Sequence, residues 1–204
     1  MRSNQPESKR ASAPSTSAYR AKIDSLKPTT FQCSCCGLTL DGPPLSWHLN
    51  APDAWTGLSA LDRRFGGNTI DSDLCIIHQK HYFIHGLIEI PVVDGEGPFV
   101  WGVWVSLSRD NFNRSCDLWD DPARVNEPAY FGWLSNSLPG YPETLNLKTA
   151  VHSRAVGMRP YIELQPTEHP LALEQANGIT TARVREIAER MHHHNASVPN
   201  TCKK

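Results

Sequence analysis

The chain has 204 residues and a formal net charge of −1, with 39% hydrophobic and 20% charged residues. Such a composition fits one ordinary globular domain with a substantial core. No apolar run approaches the roughly 20 residues that cross a bilayer, and the first residues lack the apolar block of a secretory signal. We therefore expect a cytoplasmic protein with no membrane contact and no structural disulfides.

The N-terminal part of the chain differs from the rest in charge. Residues 1–28 hold six Lys or Arg and two Asp or Glu, and are rich in Ser, Ala and Pro, which is typical of disorder. The remainder holds 14 basic and 19 acidic residues, so it lacks the basic face of a nucleic-acid-binding protein. We predict a disordered leader over 1–28, a single domain over 30–192, a flexible tail over 193–204, and no nucleic-acid partner.

The stretch FQCSCCGLTL contains three of the six cysteines. Cys33 and Cys36 are two residues apart and Gly37 follows them, which is the spacing of a zinc knuckle. A zinc ion needs further ligands, and Cys75 in SDLC is the best third candidate because its predicted strand could return beside the first pair. Spacing does not select the fourth ligand from Cys35, His48, Asp73 and His78.

The cysteine stretch has two other interpretations. A thioredoxin-like dithiol needs a following helix whose dipole lowers a thiol pKa, and Gly42, Pro43 and Pro44 prevent a helix here. Redox use is therefore disfavoured. Small buried thiols without any ligand are the second interpretation. A structural zinc site and simple burial both stay open.

Alternating apolar residues predict two long strands. YFIHGLIEIPVV and PFVWGVWVSLS both alternate, and VDGEGP between them supplies the turn of a hairpin. In the second strand Trp104 falls on one face and Trp101 on the other, together with Phe99, Val103, Val105 and Leu107. Further strands are predicted at Leu74–Ile77, Tyr130–Leu134, Leu145–His152 and Tyr161–Leu164.

Two helices are predicted from their caps. Ser108 begins a helix that runs to about Trp119. Thr180 begins the last helix, and shorter helical turns are expected near Ala51–Phe65 and Pro170–Gln175. Strands joined by hairpins and flanked by helices predict an α+β fold around an antiparallel sheet. The apolar face of the last helix consists of Val184, Ile187, Ala188 and Met191.

The histidines do not form a metal motif in the sequence. His81 and His85 lie in a predicted strand, where a separation of about 13 Å, at roughly 3.3 Å per residue, prevents them from sharing one metal ion. The run from His192 to His194 suits the polar end of the last helix. No nucleophile elbow, phosphate loop or H-E-x-x-H helix is present.

The segment YFGWLSNSLPGYP combines aromatic side chains with hydrogen-bonding groups beside turn residues. Such a mixture suits ligand or partner binding. The alternative is that the aromatic rings close the edge of a small core. The predicted binding residues are Tyr130, Trp133, Asn136 and Tyr141.

Several strings, taken in order, resemble a bacterial family of domains of unknown function, numbered 2199. They are CSCCG, SDLC, LIEIPV, FVWGVWVSLS, YFGWLSNSLPGYP, LKTAVH and RPYIELQPTEHPLALEQANGI, within about residues 31–191. The family pattern has Cys-x-x-Cys-Gly, then a histidine, then Asp-Leu-Cys. Its cysteines correspond to Cys33, Cys36 and Cys75 in this chain. Its histidine position is occupied by Leu40 in this chain. The resemblance implies no activity.

These observations predict a domain that binds a small molecule or another protein. A structural zinc site is one of the two open interpretations of its cysteines, and otherwise no cofactor is expected. The alternative is a hydrolase-like enzyme whose His/Glu site is assembled only in the fold. Convergence of two or more candidates in one concave pocket would favour the enzyme. Those candidates are His85, Glu89, His152, His169 and Glu174.

Overall fold

The computed structural model describes residues 30–34, 36–40, 42 and 44–195. Contacts divide the chain into two units, residues 1–43 and residues 44–204. The predicted leader and the last nine residues of the predicted tail lie outside the described residues, so the predicted domain boundaries stay predictions.

The first unit contains a two-stranded antiparallel ribbon. Strand β1 (Phe31–Gln32) pairs with β2 (Thr39–Leu40), with Phe31 opposite Leu40. The cysteine stretch forms the connection between these two strands.

The second unit is built on one eight-stranded sheet with the spatial order β3-β7-β8-β9-β10-β6-β5-β4. Strand β6 also pairs with β7, and this additional pairing closes β6, β7, β8, β9 and β10 into a five-stranded barrel. The strands are β3 (Ser46–His48), β4 (Thr69–Ile70), β5 (Leu74–Ile77), β6 (His81–Pro91), β7 (Pro98–Leu107), β8 (Tyr130–Leu134), β9 (Lys148–His152) and β10 (Tyr161–Leu164).

The α+β class is confirmed, but the predicted antiparallel sheet is wrong in two respects. Strand β3 runs parallel to β7, and β10 runs parallel to β6, with Tyr161 opposite Leu87. The sheet is therefore mixed, and its centre is closed rather than open. Alternation along one strand shows which face is buried, but it carries no information about a neighbour far away in the chain.

The predicted hairpin is confirmed, with β6 and β7 paired from Tyr82–Leu107 to Pro91–Pro98. Two glycines allow close approach within the barrel. A Cβ atom on Gly86 would lie 2.5 Å from Ile162, and one on Gly132 would lie 2.4 Å from Val105. Glycine at such positions lets neighbouring strands pack closely as the sheet curves.

The Trp101 face of β7 forms the main core, as predicted. Trp101 is fully buried, and so are its predicted partners except Leu107, which is 8% exposed. Trp104 points to the opposite face. There it is buried in a second, smaller cluster with Cys75, Ile77 and Phe83.

Two helices of the second unit begin at the predicted caps. The Ser108 hydroxyl accepts a hydrogen bond from the Asn111 amide (3.2 Å), and the Thr180 hydroxyl accepts one from the Arg183 amide (3.3 Å). The predicted apolar face of the last helix is buried. The helices are α1 (Asp53–Thr56), α2 (Ala60–Phe65), α3 (Arg109–Asp117), a 3-10 turn (Pro122–Asn126), α4 (Pro170–Asn177) and α5 (Thr181–Asn195).

Candidate functional site

The cysteine stretch of the first unit folds as a knuckle. The Gly37 amide donates to the Cys33 carbonyl (3.0 Å), and the Cys33 amide donates to the Leu38 carbonyl (2.8 Å). Gly37 has a φ of 71°, a left-handed conformation that glycine adopts without strain. The sulfur atoms of Cys33 and Cys36 lie within 4.8 Å of each other. One zinc ion, about 2.3 Å from each sulfur, could therefore bind both thiolates.

Cys75, the predicted third ligand, lies on β5 in the second unit. Its side chain is 0% exposed and packs with Ile77, Phe83 and Trp104. Burial, assisted by the negative charge of Asp71, raises the pKa of the Cys75 thiol to about 12. Without a metal the thiol therefore stays protonated at neutral pH, which suits a packing residue. Its role as a ligand stays a prediction.

Asn136, one of the four predicted binding residues, lies inside the protein. Its side chain is completely buried. The Oδ1 atom accepts from the Trp104 amide (2.7 Å), and the Nδ2 atom donates to the Ala51 carbonyl (2.8 Å). Asn136 thus joins β7 to the segment before α1.

The three aromatic members of that set lie in different surroundings. The hydroxyl of Tyr130 donates to Glu127 (2.6 Å), and that of Tyr141 donates to Glu174. Trp133 is 39% exposed on β8, and its ring contacts that of Phe131 edge to face, with centroids 5.0 Å apart. None of the four residues lines the cleft beside Glu89 and Arg154. Their binding role stays a prediction.

A concave cleft of about 470 Å³ lies where β6 leads into the hairpin turn. Its apolar side is formed by Pro91, Val92 and Pro98. The polar lining comes from three elements and one loop, and consists of Glu89, Arg154, Tyr161 and Gln175.

The polar wall of the cleft is held in place by its own contacts. Arg154 Nη1 donates to Glu89 Oε1 (2.7 Å), and the guanidinium carbon lies 5.2 Å from the Tyr161 ring centroid. Gln175 is buried and donates to the Ile162 carbonyl (2.7 Å) and to the Tyr161 hydroxyl (3.2 Å). Two opposite charges are therefore fixed side by side at the wall of the cleft.

His85 lies in a second polar cluster, on the face of the sheet opposite the Trp101 core. Its side chain is 4% exposed, and Nδ1 lies 3.0 Å from the Ser72 carbonyl oxygen. Since a carbonyl oxygen only accepts, Nδ1 carries the proton of the neutral ring and Nε2 carries the lone pair. The ring stacks on Trp104, with centroids 4.9 Å apart and an interplanar angle of 4°.

His48 and Arg159 complete this polar cluster. The rings of His48 and His85 are nearly perpendicular, with centroids 5.9 Å apart. Arg159 donates through Nε to Asp73 (2.7 Å) and through Nη2 to the Ser72 carbonyl (3.0 Å). Burial and then the nearby Arg159 cation lower the pKa of both histidines, so both rings favour the neutral form.

The five candidates of the enzyme hypothesis make different contacts within the described residues. Glu89 lines the cleft, and His85 belongs to the polar cluster. The others make separate local contacts: His152 with Glu163 (2.8 Å), His169 with the Leu171 amide in α4 (3.1 Å), and Glu174 with Arg183 (2.8 Å). No two of the five line this cleft, and the hydrolase-like alternative stays a prediction.

Three residues of these clusters were not singled out from the sequence. Arg154 pairs with a carboxylate 65 positions away and Arg159 with one 86 positions away. Gln175 lies in a segment that the sequence predicts only as a short helical turn. Charged and amide side chains are mostly solvated. No local pattern marks those that find a distant partner.

The second unit is thus an α+β domain with a closed five-stranded barrel, a charged cleft and a buried histidine cluster. Residues 32–179 match the family described as an uncharacterized protein conserved in bacteria (DUF2199), and the chain belongs to this family. The resemblance inferred from the sequence is confirmed. No match was found among curated proteins or among solved structures. None of the described helices has the length and apolar character needed to cross a membrane.

Proposed function

We propose that this protein is a ligand-binding protein and that the cleft beside Glu89 and Arg154 holds a small zwitterionic molecule. The observation that carries this proposal is the pre-ordered pair of opposite charges in a concave site. A ligand with a cation and a carboxylate would place its cation near Glu89 and its carboxylate near Arg154. The α-amino acids are the simplest molecules with these two charges.

The size and lining of the cleft support a small ligand. Its volume of about 470 Å³ falls in the roughly 300–1,000 Å³ range of small-molecule sites. Pro91 and Val92 supply apolar surface for the remainder of the ligand. The side chains of Arg154 and Glu89 are 22% and 32% exposed, so a ligand can reach both charges by displacing water.

Titration of the full-length protein with a panel of L-α-amino acids tests this proposal. A bound amino acid at 100 times its Kd should stabilise the folded protein by about 2.7 kcal/mol, seen as a rise in Tm. Arg154→Gln should abolish the rise. Arg190→Gln is the control, because Arg190 is half exposed on α5 and forms its ion pair with Glu186, four residues away on the same helix. Absence of any rise, or an equal rise in Arg154→Gln, would overturn the proposal.

We further propose that Cys33 and Cys36 hold a structural zinc ion, with Cys75 as the predicted third ligand. The knuckle geometry of the first unit supports the first two ligands. Zinc here would stabilise a short two-stranded ribbon that has little apolar surface to bury.

Expectations about the partners and the cellular location of the protein accompany these proposals. A protein partner stays an alternative to the small molecule, and the exposed pair Phe131 and Trp133 supports it as a contact surface. A cytoplasmic location and the absence of a nucleic-acid partner stay predictions from composition and charge.

A further inference from the structure

The ring nitrogen Nε2 of His85 has no role in the fold that its surroundings explain. It is buried and has no hydrogen-bond partner within the described residues. The Gly102 carbonyl lies nearby and accepts from the Leu49 amide (2.9 Å). A carbonyl oxygen only accepts, so it cannot satisfy the lone pair that Nε2 carries when Nδ1 holds the proton. A buried acceptor without a partner is destabilising, and such groups are uncommon in folded proteins.

We propose that His48 and His85 form a binding site for a divalent transition-metal ion, with Nε2 of His85 as the inner ligand. This site lies wholly in the second unit and is independent of the cysteine knuckle and of the cleft. It would take Zn²⁺, Cu²⁺ or Ni²⁺, which imidazole nitrogens prefer, rather than Mg²⁺ or Ca²⁺.

The separation of the two rings fits one shared ion. A zinc–nitrogen bond of about 2.0–2.1 Å on each imidazole places the two ring centroids about 5–6 Å apart. The observed separation is 5.9 Å, with the rings nearly perpendicular. His48 is exposed, so rotation of its side chain can admit the ion to the buried nitrogen of His85.

The backbone around His85 holds the ring in a metal-binding orientation. The Ser72 carbonyl accepts from Nδ1 at 3.0 Å, which directs the lone pair of Nε2 away from that carbonyl. Metal-binding histidines usually donate their other ring nitrogen to a carbonyl or carboxylate in this way. Stacking on Trp104 fixes the plane of the ring.

Gly102 makes room for the second imidazole. A Cβ atom at this position would lie 2.0 Å from Nδ1 of His48. Any side chain on Gly102 would therefore displace the His48 ring. Strand β3 pairs His48 with Gly102, so this sheet register places the exposed histidine beside the buried one.

One positive and one negative side chain lie near the site. Arg159 places a positive charge close to both histidines, and the Asp73 carboxylate, 2.7 Å from Arg159, offsets part of that charge. Asp73 also accepts a hydrogen bond from Ser72, which engages its second oxygen. The remaining coordination positions of the ion would be filled by water or by an anion.

Zinc titration of the full-length protein, followed by NMR of the histidine ring nitrogens, tests the proposal residue by residue. We expect the His48 and His85 signals to change together during the addition of one equivalent. The signals of individual rings distinguish this site from other zinc sites. Zinc bound at the cysteines would leave the His48 and His85 signals unchanged, and zinc at the histidine-rich end of α5 would change other histidine signals. An unchanged His85 signal at excess zinc would overturn the proposal.

His48→Gln is the decisive variant, because it removes one of the two imidazoles at an exposed position. It should abolish the response of His85 to zinc. His81→Gln, an exposed histidine on the same strand as His85, is the matched control and should leave the response unchanged. A full His85 response in His48→Gln would show that the two rings do not share an ion.

Discussion

Asn136 connects two distant segments of the second unit through one buried amide group. It accepts from the amide of Trp104, 32 positions away, and donates to the carbonyl of Ala51, 85 positions away. Loss of such an amide leaves backbone groups buried and unsatisfied. This contact explains why a polar residue in a segment rich in turns is completely buried, and it assigns Asn136 a structural role in addition to the binding role predicted for it.

Trp101 should be the most sensitive residue of the core to truncation. It is completely buried inside the barrel, so Trp101→Ala removes its contacts and leaves a cavity. We expect a loss of about 3–5 kcal/mol in the free energy of unfolding, measured by urea denaturation. Trp133→Ala is the control because Trp133 is 39% exposed, and it should lose much less. A loss below ~1 kcal/mol for Trp101→Ala would contradict the assignment of the core face.

Zinc at the knuckle should depend on Cys36 and not on Cys116. Cys36→Ser replaces one of the two thiolates beside Gly37, so protein purified without a tag should lose bound zinc, measured by elemental analysis. Cys75→Ser should also lose zinc if the predicted third ligand is correct. Cys116 packs against the main core, and Cys116→Ser should leave the zinc content unchanged. If the purified wild-type protein contains no zinc by elemental analysis, the proposal is contradicted.

At the scale of elements, one carboxylate connects α3 to the start of β8. Glu127 accepts from Arg114 at 2.7 Å and from the Tyr130 hydroxyl at 2.6 Å. The hydrogen bond from Arg114, followed by that from Tyr130, lowers the pKa of Glu127 to about 2. The carboxylate is therefore charged in the folded protein at a pH where it would be protonated in the unfolded chain.

This depressed pKa predicts a pH-dependent contribution to stability. The contribution should be complete above the usual glutamate pKa of 4.5 and should disappear as the pH falls to about 2, because the unfolded chain binds the proton first. The difference in Tm between wild type and Glu127→Gln should therefore shrink over this window. Glu96→Gln, in the exposed hairpin turn, is the control. A Tm difference that does not change with pH would contradict the role of the charge.

At the scale of the whole molecule, the basic leader is predicted to be dispensable for folding. Its composition provides little apolar surface to bury, so it should not contribute to the stability of the rest of the chain. A chain that begins at Pro28 should keep the Tm of the full-length protein within error, measured by calorimetry. A large fall in Tm would show that the leader packs on the folded part.

Several features were predictable because they depend on neighbours in the sequence. The two faces of β7 follow from residues that alternate along one strand. The start of α5 follows from Thr180, whose hydroxyl reaches an amide three residues away. The knuckle follows from Cys33, Cys36 and Gly37, which lie within five positions. In each case the interaction or pattern that predicts the feature involves residues close together in the sequence.

Only the tertiary structure decided the closure of the barrel and the composition of the two clusters. Parallel pairing of β10 with β6 and the contact of His48 with His85 join residues far apart in the chain. Charged and polar side chains carry no periodic signal that names their partner, and the energy of a pair such as Arg154 and Glu89 depends on a geometry that exists only after the strands have assembled. The sequence by itself therefore determined the strands β5 to β10 and the capped starts of α3 and α5. The short strands β1 to β4, the neighbours of each strand and the members of each site were decided by packing.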